Sequence, residues 1–67
     1  MNITLNNRPE NIDHNQVTVS KLLEIKNFTF KMLVIKVNGK LVKKDVYDSF
    51  LINEGDDVTV LHLVSGG

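Results

Sequence analysis

Sixty-seven residues, 42% of them hydrophobic, make one small domain whose core is limited and whose stability is marginal unless something staples it. The absence of cysteine excludes a disulfide framework and a thiolate metal site. Eight basic and eight acidic side chains give a formal net charge of zero, which argues against a dedicated nucleic-acid or anionic-membrane binder.

The chain opens with alternation. Met1, Ile3 and Leu5 fall on one face and Asn2, Thr4 and Asn6 on the other, the period of a half-buried strand. Met1 leads straight into this segment, with no charged region followed by an apolar stretch, so no secretory signal is expected. No apolar run approaches the length of a membrane span, and the expected location is the cytoplasm. Asn7-Arg8-Pro9 supplies turn residues, and residues 10–13 can return as a second strand with Ile12 inward.

His14-Asn15-Gln16 reads as a connector, and residues 17–27 as a helix. Thr18 is a good N-cap, since its hydroxyl can accept from the free N–H groups of the first turn. Val17 and Leu22 are placed for a hydrophobic staple across that cap. Val19, Leu22 and Leu23 share one helix face, and Asn27 can end the helix in the left-handed conformation. A helix this short does not persist alone in water, so it must pack on a sheet.

Phe28 and Phe30 alternate with polar residues, and either could cover the end of the core. Residues 33–37 predict a strand with Leu33, Ile35 and Val37 on one face. Asn38-Gly39 follows, the pair that best tolerates the positive φ angles of a type I′ hairpin turn. Residues 40–43 return as a short strand whose lysines suit a sheet edge. Lys36, Lys40, Lys43 and Lys44 cluster, as a solvated face or as a steering patch for an acidic partner. Residues 45–50 suit a helical turn or an irregular loop, with Tyr47 and Phe50 plugging the open end of the core. Residues 53–57 form a polar turn into a last strand over residues 58–64.

The order is strand, strand, helix, strand, strand, loop, strand. One helix covers only one face of a sheet, so the other face looks to solvent. The helix and second hairpin supply the crossover that lets the first and last strands pair in parallel. This predicts an α+β, ubiquitin-like β-grasp fold: a mixed sheet of four to five strands with one main helix on one face. Residues 1–64 form the domain and residues 65–67 a flexible tail.

That tail, Ser65-Gly66-Gly67, draws attention. At about 7% glycine per position, two glycines at a fixed place arise in roughly 0.5% of sequences. A Gly-Gly end can thread a slot too narrow for any side chain and present its carboxylate to another enzyme. It can also be only a frayed end. Upstream, if Val58 and Val60 face the helix, Leu61 and Leu63 fall out of phase with them. They would then lie with Val34 on the open face as a partner-docking patch, or complete the core if the phase slips.

These residues together resemble the ThiS family of thiamine-biosynthesis sulfur carriers over essentially the whole chain. The resemblance rests on the first alternating strand, Thr18-Val19 with Leu22-Leu23, and Val37-Asn38-Gly39-Lys40-Leu41-Val42. It rests further on Glu54-Gly55-Asp56, Val58, Val64 and the final Gly66-Gly67. Tyr47 stands where the family often has tryptophan, one aromatic plug for another. The sister family, the small subunit of molybdopterin synthase, often carries a Phe-Pro-Pro-like stretch that Leu61-His62-Leu63 lacks.

The resemblance implies a carrier and not an enzyme. An ATP-dependent, ThiF-like adenylating enzyme would activate the Gly67 carboxylate, and sulfur would displace AMP to leave a thiocarboxylate. A ThiG-like thiazole synthase would receive that sulfur. The chain itself would bind no cofactor, no metal, no nucleic acid and no membrane, and would be a monomer when free. The residues agree with this division of labour: there is no Gly-rich phosphate loop and no nucleophile–base pair. His14 and His62 lie far apart and in no ligand-spaced pattern. A ubiquitin-like modifier joined through Gly67 to other proteins shares the chemistry up to the adenylate, and a plain interaction module with an accidental Gly-Gly end is the third reading.

Overall fold

The computed structural model describes residues 1–29 and 32–63. These residues form seven strands and one α-helix. In chain order they are β1 (Asn2–Leu5), β2 (Arg8–Asn11), β3 (Gln16–Thr18), α1 (Val19–Ile25), β4 (Leu33–Val37), β5 (Lys40–Val42), β6 (Leu51–Asn53) and β7 (Asp57–His62). The main sheet has five strands in the order β2-β1-β7-β4-β5. β1 and β7 pair in parallel at its centre, and every other pair in it is antiparallel. The helix covers one face, giving the β-grasp arrangement that the pattern of strands and helix predicts.

Alternation decides which face is covered. Ile3 and Leu5 on β1, Ile35 and Val37 on β4, Val42 on β5, and Val58 and Val60 on β7 are all buried. Val19 and Leu22 of α1 meet them, both fully buried. Phe28, Tyr47 and Phe50 are partly buried and pack against this core. Phe30, the other aromatic expected there, lies outside the described residues.

The helix ends are set by local chemistry. Thr18 is extended, and its Oγ1 accepts from the Lys21 backbone N–H at 3.0 Å. Val17 and Leu22, on either side of that cap, are both buried. At the other end Asn27 takes φ +57°. The Phe28 N–H donates to the Leu23 carbonyl at 2.8 Å and the Asn27 N–H to Glu24 at 3.1 Å, a Schellman stop. The helix therefore runs over Val19–Ile25, not over residues 17–27. Thr18→Ala is expected to cost about 1 kcal/mol. In a domain this size that lowers the melting temperature by about 4–8 °C, readable by calorimetry.

Three further expectations need correction. The first hairpin turns at Asn6-Asn7, with φ +52° and +66°, and not at Asn7-Arg8-Pro9. Arg8 already pairs with Leu5, and Pro9 lies opposite Thr4 in β2, an edge strand that tolerates its missing N–H. Residues 14–16 are not only a connector. Gln16 begins β3, which pairs with β6 in a separate two-stranded sheet that closes one end of the core through Val17 opposite Ile52. The last strand runs Asp57–His62, one residue earlier at its start than expected. Its ladder reaches one residue further, since the Leu63 N–H donates to the Met32 carbonyl at 2.9 Å. Val64 lies outside the described residues.

Side chains tie β7 into place. Asn38 and Gly39 take φ +53° and +81°, and Gly39 supplies the positive φ that the β4–β5 turn requires. Asn38 Oδ1 accepts from the Asp57 N–H at 2.9 Å and its Nδ2 donates to Asp56 Oδ1 at 3.1 Å. At the end of β1, where the parallel ladder stops, Asn6 Oδ1 accepts the Val60 N–H at 2.8 Å. The central strand thus enters and leaves its parallel pairing with both ends held.

Candidate functional site

The candidate site has two parts: the tail, and the surface that precedes it. Ser65, Gly66 and Gly67 lie outside the described residues. β7 leads toward them along the centre of the sheet.

Strand period sets the surface. Because Val58 and Val60 are turned to the helix, Thr59, Leu61 and Leu63 point to the open face. Leu61 lies directly opposite Val34 on β4. Leu61 is 50% exposed and Leu63 45%, so both stand free of the core, while Val34 is half-buried between strands. The structure therefore brings Val34, Leu61 and Leu63 together on the uncovered side of the sheet.

Two apolar neighbours belong with them. Met32 is 51% exposed and meets Leu63 through the ladder bond that extends β4 by one residue. Leu41 on β5 is 61% exposed, opposite Lys36 and diagonal to Val34. Met32 has the parity of Val34 and Lys36, a signal present in the sequence but lost by starting the strand at Leu33. Leu41 alternates with Val42, which is buried, and so falls on the open face.

The patch is confined to one half of the sheet. On the β1–β2 half the same face carries Asn2 opposite Asn11 and Thr4 opposite Pro9. Burying a leucine side chain stabilises by about 1.5–3 kcal/mol, so three exposed leucines beside a methionine and a valine form a surface that gains by being covered.

Among the described residues no group of three or more His, Cys, Asp or Glu is placed to hold a metal ion. No helix among them is long and apolar enough to cross a membrane. Tyr47 packs against the core, and its backbone carbonyl accepts the Ser20 N–H at 3.0 Å.

Similarity to known proteins follows the same lines. No curated protein sequence matches the chain. A crystal structure of the thiamine biosynthesis protein ThiS from Geobacter metallireducens superposes with a TM-score of 0.90 at 26% identity, covering 100% of both chains. A solution structure of a thiamine biosynthesis protein from the same organism gives 0.82 at 26% identity, over 100% of this chain and 88% of that one. The ThiS family model matches residues 3–67, nearly the whole length and through both terminal glycines. The chain belongs to the ThiS family, the small β-grasp sulfur carriers of thiamine biosynthesis, which are carriers rather than catalysts.

Proposed function

We propose that this chain carries sulfur on Gly67 and that Val34, Leu61 and Leu63 dock it on the enzyme that loads it. The supporting observation is the exposed pair Leu61 and Leu63 on the open face, immediately before the Gly-Gly end. A carboxylate is a poor electrophile. Its oxygen must first attack the α-phosphorus of ATP, forming an acyl adenylate and releasing pyrophosphate. A sulfur nucleophile from the loading system then displaces AMP and leaves a thiocarboxylate. When thiazole synthase takes up that sulfur, an oxygen from the acceptor substrate or from water replaces it on the acyl carbon and restores the carboxylate. These steps need a nucleotide site, and the partner enzyme supplies it; the chain supplies a reachable carboxylate and a surface that holds it in register. Gly66 and Gly67 carry no side chain, which leaves the end of the chain narrow enough to enter a tight slot. ATP and both partners place the work in the cytoplasm, with the free chain a monomer.

The test is the intact mass of the chain after incubation with ATP, a sulfide source and the adenylating enzyme of the same cell. Exchange of one carboxylate oxygen for sulfur adds about 16 Da, and the Gly67 deletion is expected to stay at its starting mass. An unshifted native chain beside an enzyme active on its own carrier refutes the proposal. Covalent adducts to other proteins in place of the shift would indicate a modifier.

A further inference from the structure

The lysine cluster is not used by the carrier chemistry, and the fold puts it beside the docking patch. Lys36 lies on the open face between Thr59 of β7 and Leu41 of β5. The β4–β5 pairing ends at Ile35 opposite Val42; Lys43 follows directly, is still extended, and by strand alternation falls on the open face with Leu41. Lys44 opens the 3₁₀ turn that follows, and Lys40 sits at the start of the β5 edge. All four are exposed, and none forms an ion pair with a described residue.

Asp45 follows Lys44 within the 3₁₀ turn, and most of the other charges lie elsewhere. Lys26 pairs with Glu10 at 3.1 Å, and Lys21 with Glu24 at 3.5 Å on the helix. Asp48 accepts from the Ser20 hydroxyl. Glu54 accepts the Asn2 N–H, and Asp56 is bound to Asn38 and Asn53, all at the end of β7 away from Leu63. A chain with zero net charge gains no attraction to a partner from its total charge. Only segregation of the kind seen here can steer an approach.

Resting on the reading that the open face docks the adenylating enzyme, we propose that Lys36 and Lys43, with Lys44 beside them, steer that enzyme by complementing acidic side chains around its apolar seat. The mix of residues favours a protein over other polyanions. The lysines interleave with Leu41, Val34 and Leu61, while Phe28, Tyr47 and Phe50 pack against the core and offer no stacking platform for bases. A rim of charge around an apolar centre sets association rate more than residence time.

The experiment measures association and dissociation rates of the full chain with the purified adenylating enzyme at low and high salt. The native association rate is expected to fall about tenfold or more as salt rises from about 20 to 300 mM, because the Debye length shrinks several-fold. Lys36→Glu with Lys43→Glu is expected to lower the low-salt rate at least tenfold and flatten that slope, with dissociation changed about twofold or less. Lys36→Gln with Lys43→Gln, which adds no repulsion, is expected to fall between. Reversing as many charges on the helix side, Arg8→Glu with Lys21→Glu, is expected to change the rate no more than about twofold.

A native rate indifferent to salt, or charge-reversed variants that associate normally, would overturn steering while leaving thiocarboxylate formation, and so the carrier reading, standing. Equal losses from both double reversals would also overturn it, by assigning the effect to net charge. Binding of the chain to phosphatidylserine vesicles that is lost with Lys36 and Lys43 would reassign the lysines to a lipid surface. A native chain that takes no sulfur refutes the carrier reading itself, and the steering proposal falls with it.

Discussion

Leu22→Ala is expected to cost about 2–5 kcal/mol, most of the stability a domain of this size possesses. Leu22 has no exposed surface and is among the largest of the fully buried side chains. It is one of only two buried residues on a seven-residue helix, the other being Val19. Such a helix exists only through what it buries, because its intrinsic stability in water is negligible. Truncation removes the branched end of the Leu22 side chain from the buried core and leaves a cavity that does not readily close, since the capped and Schellman-stopped ends fix the helix in place. Urea unfolding is expected to show the midpoint shifted by a few molar, at about 1 kcal/mol per molar for a chain this small. Ile25→Ala, on a side chain already 38% exposed, is expected to cost under about 1 kcal/mol. A similar small loss at Leu22 would mean that the helix is not what the core is built on.

Much of this architecture was legible because it rests on strong local signals. The alternation of β1 and β4 is long enough to fix a face, Thr18 has the chemistry of a cap, and Asn38-Gly39 fits one kind of turn. The parts that were not legible lack such signals. β3 and β6 have three residues each, with one inward side chain apiece, Val17 and Ile52, and one side chain has no period. Their pairing spans residues 17 and 52 and is fixed only by the folded core. Asn6-Asn7 was hidden by the stronger turn residues after it: Pro9 reads as a breaker until the edge position of β2 removes the demand for its N–H.

The candidate surface divides in the same way. Leu61 and Leu63 could be placed by counting in twos from Val58 and Val60. Met32 shares the parity of Val34 and was lost by starting the strand at Leu33; its place opposite Leu63 rests on a single ladder bond beyond the end of the β4 alternation. Leu41 was masked by its neighbours, since lysines at 40 and 43 mark an edge without saying which face the leucine between them takes. Charge segregation is a property of the folded arrangement. The same eight and eight charges, evenly spread, would have the composition of this chain and none of its asymmetry.

Leu61→Asp with Leu63→Asp is expected to abolish loading while leaving the domain folded, with kcat/KM for adenylation down by about 10²–10³. Both side chains are about half exposed, so the fold loses little when they become polar, about 1 kcal/mol or less from strand preference. A covered interface loses far more, because each aspartate must be desolvated against apolar atoms or hold the partner away. The tail of this variant is untouched, so the defect belongs in binding and not in chemistry. Deleting Gly67 is expected to do the reverse: the open face still docks, and no carboxylate reaches the nucleotide. The two variants are separated by competition against the native chain in a pyrophosphate-release assay. The Gly67 deletion is expected to inhibit, with a constant near the KM of the native chain, and the Leu61→Asp, Leu63→Asp chain is expected not to inhibit at all. If the aspartate variant inhibits as well as the deletion does, the enzyme holds the carrier by some other surface, and the open face is left without a role in loading.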